Sequence, residues 1–150
     1  MRVKIDKLFL TAILLFAIIS FVSANTVSVV PPTTNVNIGN IFSVNVSATT
    51  STSDLFSIQF DLNYDLSVLT LNSVSEGSFL LNNSTIVFNY SSFGGGLADD
   101  VYSARNKTFL DPDPGVTGTG SVAVLSFTAI AAGNSGLNLS NVIWVNSSIL

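Results

Sequence analysis

Alternation runs the length of the chain after residue 25. In IFSVNVSA, residues 41–48, Phe42, Val44, Val46 and Ala48 alternate with Ser43, Asn45 and Ser47. In LFSIQFDLNY, residues 55–64, Phe56, Ile58, Phe60, Leu62 and Tyr64 alternate with Ser57, Gln59, Asp61 and Asn63. A period of two puts one set on a buried face and the other in water, which predicts strands. The same logic predicts strands over 26–30, 68–75, 85–91, 99–109, 121–132 and 137–145. SVAVLSFTAIAA, at 121–132, is apolar on both faces and fits a central strand. Pro31-Pro32, Gly39-Asn40, Glu76-Gly77, Gly94-Gly95-Gly96, the DPDPGVTGTG run and GNSG predict the breaks and turns between them. No window carries a helical stripe. Eight short strands, with no repeat and no linker, predict an all-β, two-sheet jelly-roll sandwich.

The first 24 residues do not share this pattern. MRVKIDK is a basic head, LFLTAILLFAIISFV an apolar middle, and Val22 and Ala24 stand at the small-residue exit before Asn25. That arrangement predicts a secretory signal peptide over 1–24, cut between Ala24 and Asn25. The remaining domain, residues 25–150, is then secreted and extracellular, at or near the cell surface, with no membrane insertion of its own.

Charge and composition narrow the function. Residues 25–150 hold Arg105 and Lys107 against eight acids, a net charge of −6. Such a surface repels polyphosphate and excludes nucleic-acid binding. The chain has no cysteine and no histidine. That removes disulfides, most zinc sites and every histidine-based triad. Seven Asn-x-Ser/Thr sequons, at Asn45, Asn82, Asn83, Asn89, Asn106, Asn138 and Asn146, fit an exported glycoprotein.

The acids give little sign of catalysis. Asp61 and Tyr64 sit at opposite parity and face opposite sides of their strand. Asp65 opens the Asp65-Leu66-Ser67 turn, where its carboxylate can accept backbone N–H groups. Asp99, Asp100, Asp111 and Asp113 are weak candidates for calcium, which takes several loop oxygens. They lack EF-hand spacing, and solvated loop acids are the plainer account. Glycoside hydrolysis needs two carboxylates across a sugar-sized gap, and nothing else in the sequence supports one. The aromatics available to a carbohydrate platform are Tyr90, Tyr102 and Trp144, with Tyr90 on an apolar face.

Several stretches fall in a characteristic order. The turn and alternating strand at 39–48 are followed by FSIQFDLNYDLSVLTL, with Phe60-x-x-x-Tyr64-Asp65-x-x-Val68-Leu69. Next come EGSFL at 76–80 and GVTGTGSVAVLSFTA at 115–129, then a glycine turn and LNLSNV. Over residues 26–146 this order resembles cohesin domains, the sandwich modules of cellulosome scaffoldins and related non-cellulosomal proteins. The resemblance implies a nine-stranded jelly roll, related in fold to cellulose-binding modules. The family continues past SNVIWVNSSIL into a final strand beside the first. That strand is not in this sequence, so eight strands are expected here and the ninth is expected to be missing.

The resemblance also implies a non-enzymatic module that captures dockerin-bearing proteins, in a surface or polysaccharide-degrading assembly. The calcium of such a complex belongs to the dockerin, and the chain itself needs no cofactor. The partner-binding positions it implies are Ser57, Gln59, Asp61 and Asn63, joined by Val87 and Asn89 from a neighbouring strand. Two other functions fit the same fold: a carbohydrate-binding module and a structural cell-surface spacer.

Overall fold

The structure is a computed structural model that describes residues 24–31, 35–51, 53–107 and 115–148. The expected signal segment, apart from Ala24, lies outside the described residues, as do Asp111 and Asp113. Among the described residues nine strands form: β1 Thr26–Val30, β2 Ile41–Thr49, β3 Ser57–Asn63, β4 Leu69–Glu76, β5 Ile86–Asn89, β6 Ser92–Gly94, β7 Leu97–Arg105, β8 Thr119–Ala129 and β9 Asn138–Val145. A 3-10 helix, Phe79–Leu81, is the only helical element among the described residues.

The strands make two sheets, in the order β1-β2-β8-β4 and β5-β7-β3-β9, with β6 also on β7. All named pairs are antiparallel. The all-β sandwich predicted from alternation is therefore the fold. The strand beyond the expected eight is internal. Sequence patterning gives one strand over 85–91, whereas the chain pairs with β7 as two pieces, β5 and β6. They are split at Tyr90 and Ser91, beside Asp100. This residue has a left-handed backbone (φ 50°), and the pairing of β7 with β5 and β6 is interrupted there.

Inward residues of both sheets close one core. Val44, Val46, Ile58, Phe60, Leu62, Val101, Val122, Leu125 and Phe127 are fully buried. Phe127 is its centre. Tyr64 meets it edge-on at 5.2 Å, and Phe42 stacks on it at 5.8 Å. Burying a ring of this size is worth about 1.5–3 kcal/mol, and each favourable ring pair adds about 0.5–1.5 kcal/mol. Tyr64 is thus a core residue, as its parity predicts.

Arg105 is also inward and buried. Its guanidinium donates to the carbonyls of Leu80 (3.1 Å) and Asn82 (2.9 Å), tying the 3-10 helix down onto the end of β7. One of only two basic residues after position 24 is therefore part of the fold, not of the surface.

Glu76-Gly77 does not turn the chain as expected. Gly77 stays in the ladder, donating to the carbonyl of Val122 at 3.1 Å. A Cβ on Gly77 would lie 2.2 Å from the backbone oxygen of Ser121, so the glycine serves close approach of two backbones. The chain turns only afterwards, through the 3-10 helix. Gly77→Ala should therefore force a backbone shift and cost about 1–3 kcal/mol. Urea unfolding at neutral pH should show the midpoint falling with the slope unchanged.

Candidate functional site

The outward face of the five-stranded sheet is built by register. Directly opposed residues in antiparallel strands share a face. One cross-strand row reads Asn89, Tyr102, Gln59, Ile143. A second reads Val87, Ala104, Ser57, Val145, and a third Leu97, Asn63, Asn138. The face is therefore a mixture of amides, hydroxyls and a few apolar groups. Val87 and Ile143 are about half exposed, at 50% and 52%.

Between the first and third rows sits Asp61, and both neighbours of β3 bulge around it. Against β7 the register slips between Phe60 and Leu62, which face Val101 and Ala98. Against β9 it slips between Gln59 and Asp61, which face Ile143 and Ser140. Each neighbour carries one extra residue at the same level. The bulge residues Asp100 and Asn141 have φ of 50° and 49°. Asp and Asn tolerate this region better than other non-glycine residues.

The carboxylate of Asp61 accepts from both bulges. The Asp100 backbone N–H donates to Oδ1 at 2.9 Å, and the Asn141 side-chain amide donates to Oδ2. Asp100 is held in turn by Gln59 Nε2 at 2.7 Å and Ser91 Oγ at 3.0 Å. Asn63 Nδ2 donates to Ser140 Oγ at 2.8 Å, fastening β3 to β9 one row on.

Exposure sorts the positions implied by the family resemblance. Asn63, Val87 and Asn89 are exposed and Gln59 is half-buried, whereas Ser57 and Asp61 are each only 6% exposed. Asp61 faces outward as its parity predicts, yet its oxygens are occupied by its own sheet. Val87 and Asn89 share the face, but not from the strand beside β3: β7 lies between, because the chain from β5 returns to pair with β7 first. Reading the sequence did not place Tyr102, Leu97, Ala104, Ile143 and Val145 here. Two bulges break the alternation of β7 and β9, so parity counted along the chain fails across them.

The remaining candidates fall elsewhere. Trp144 packs against the core, and its indole N–H donates to the Asp54 carbonyl at 3.3 Å. Tyr90 packs against the core and Phe93 at 5.6 Å. Of the calcium candidates, Asp99 and Asp100 gather with Asp61, their carboxylate oxygens within 4.8 Å of one another. The protein's own donors already occupy the oxygens of Asp61 and Asp100. A cleft of about 260 Å³, lined by Val36, Phe42, Val68, Leu69 and Leu137 among others, contains no titratable side chain.

Asp65 forms the turn predicted for it. Ser67 Oγ and Ser67 N–H donate to its Oδ1 at 2.7 and 2.8 Å. The hydroxyl first, then the amide, holds the carboxyl below its ordinary value of 3.8.

Two predictions follow from these carboxylates. Asp61→Ala leaves the part-buried Asp100 N–H and Asn141 side-chain amide without their acceptor, and should cost about 1–3 kcal/mol in urea unfolding. Asp61→Asn, which keeps an acceptor, should cost less. The Asp65 carboxyl titrates lower in the folded chain than in the unfolded one. Its contribution is therefore full above the unfolded value and is lost as pH falls through the folded one. Asp65→Asn should remove that part of the acid dependence, seen as a smaller drop in melting temperature between pH 5 and the acid limb.

Known proteins now give the arrangement a context. Residues 27–149 match the family model described as cohesin domain. No curated protein sequence matches the chain. Among solved structures, the Clostridium acetobutylicum cohesin CaCohA2, in complex with CaDoc0917, shares 22% identity at a TM-score of 0.63. The alignment covers 83% of this chain and 88% of that one. The sixth cohesin of Acetivibrio cellulolyticus scaffoldin B, in complex with a mutant Cel5 dockerin, shares 18% at 0.66, covering 85% and 90%. A non-cellulosomal cohesin from the archaeon Archaeoglobus fulgidus shares 19% at 0.58, covering 83% and 80%. At these identities the structures share the fold, and the family model carries the assignment: the chain belongs to the cohesin domain family.

Proposed function

We propose that this chain is an exported, non-catalytic docking module that captures dockerin-bearing proteins on the outward face of its five-stranded sheet. The observation that carries this reading is the face itself. It is fastened across β7, β3 and β9 by hydrogen bonds of Asp61, Gln59 and Asn63. It offers exposed Val87 and Ile143 beside Gln59, Asn63 and Asn89, a mixture of apolar anchor and hydrogen-bonding group suited to a protein partner. The solved relatives in complex with CaDoc0917 and with a Cel5 dockerin support the same partner class.

In this reading Gln59, Asn63, Val87 and Asn89 meet the partner, joined by Tyr102 and Ile143. Ser57 and Asp61 are positioning residues that act through the sheet. Calcium is supplied by the dockerin, and this chain holds no cofactor. Residues 1–24 direct export and are cut before Asn25, leaving residues 25–150 outside the cell, within a surface or polysaccharide-handling assembly. Among the described residues, no helix is long and apolar enough to cross a membrane.

Direct carbohydrate binding is the weaker alternative, because the single tryptophan turns inward and, among the described residues of the face, Tyr102 alone makes no coplanar aromatic platform. A structural spacer would bind neither class. The test is retention of dockerin domains on the immobilised chain with calcium present, set beside retention of the chain on insoluble polysaccharide. Dockerin capture is expected, with Gln59→Arg and Ile143→Asp each weakening it by about tenfold or more, the scale of a lost interface anchor. Capture of no dockerin would overturn the reading. Polysaccharide retention in its place would establish the alternative.

A further inference from the structure

The docking face carries two N-glycosylation sequons, and both lie on its margins. Asn89-Tyr90-Ser91 ends β5, and Asn138-Leu139-Ser140 begins β9. These two strands are the opposite edges of the β5-β7-β3-β9 order. Both asparagines are exposed and share the outward face, by their pairing with Tyr102 and with Asn63. The atom that would take the sugar is open at each. Asn89 uses Oδ1 to accept the Tyr90 N–H at 2.9 Å, and its Nδ2 makes no hydrogen bond among the described residues. The Asn138 backbone carbonyl accepts from Asn63, while its own side-chain amide makes no hydrogen bond among the described residues.

Position decides what a glycan there would do. Asn89 stands in one row with Tyr102, Gln59 and Ile143, and Asn138 lies directly opposite Asn63. Strands are spaced about 4.8 Å apart, which puts Asn89 about 10 Å from Gln59 and Asn138 one strand from Asn63. A branched, hydrated sugar chain on either residue overlies the groups that a partner would have to reach. Asn45 is the contrasting site. It belongs to β2, paired with Val30 and Val124 in the four-stranded sheet on the other side of the sandwich. A glycan on Asn45 leaves the docking face clear.

We propose that N-glycans on Asn89 and Asn138 close the docking face, and that one on Asn45 does not. Which sequons carry sugar would then set the fraction of chains able to dock. This inference rests on the docking reading above, and the experiment separates the two. The full chain is produced in a host without N-glycosylation and, in parallel, secreted from a host that performs it. Both preparations pass over an immobilised panel of dockerin domains with calcium. Glycopeptides covering Asn45, Asn89 and Asn138 are quantified by mass spectrometry in the load, the retained fraction and the flow-through.

The expected result is retention of the unmodified chain. In the glycosylated preparation, sugar at Asn89 and Asn138 should be depleted about tenfold or more in the retained fraction, with Asn45 occupancy unchanged. Equal occupancy of Asn89 and Asn138 in retained and unretained chain, while the unmodified chain is captured, overturns the glycan gate and leaves docking standing. A load carrying sugar at neither residue overturns their assignment as acceptors. Failure of the unmodified chain to bind any dockerin overturns the docking reading, and the gate with it.

Discussion

One carboxylate sets the geometry of the five-stranded sheet. Asp61 lies in the middle of β3, and each flanking strand carries an extra residue beside it. An extra residue leaves backbone groups out of the ladder, and a buried amide without an acceptor costs about 1–3 kcal/mol. Asp61 offsets that cost on the β7 side by accepting the Asp100 backbone N–H, and it ties down the β9 bulge by accepting the Asn141 side-chain amide. An anionic acceptor makes stronger hydrogen bonds than a neutral one, and two oxygens on one side chain serve two strands. The left-handed backbone at Asp100 and Asn141 is held in place from the same point.

The rest of the face depends on that anchor. The bulge in β7 turns the Asp100 side chain to where Gln59 and Ser91 can hold it, and the edge strand opposite divides into β5 and β6. The bulge in β9 changes the parity of its last residues, so that Ile143 and Val145 join the outward rows and Trp144 turns into the core. An unbulged β9 would send the tryptophan outward in their place. One inserted residue thus decides whether the outward face carries the tryptophan or the aliphatic pair Ile143 and Val145. Beneath it, the packing of Phe127 against Tyr64 and Phe42 keeps the second sheet fixed behind the face.

Some residues have one role whichever level is considered. Tyr64 alternates inward and is buried; Asp65 follows a strand end and makes its turn with Ser67. Their positions depend on period and on the next two residues, which are local in the chain. Asp61 differs. Its parity points outward, and it lies on the outward side, but it is 6% exposed because two strands distant in sequence close over its oxygens. The Glu76-Gly77 pair looks like a turn by composition, and the glycine is there because the backbone of Ser121 comes too close for a side chain.

The sequence by itself determined the class of fold, the inward set of β2 and β3, the Tyr64-Asp65 corner and the cohesin resemblance. All of these rest on a two-residue period or on short ordered motifs. The tertiary structure alone decided strand order, which put β7 between β3 and β5 and so moved Val87 and Asn89 one strand further from Gln59. It alone decided which residues of β7 and β9 face outward, because a bulge shifts parity without any mark in the local pattern beyond an Asp or an Asn. A strand's alternation is set by its own residues. Its neighbours and its register are set by which backbone groups elsewhere in the chain remain to be paired.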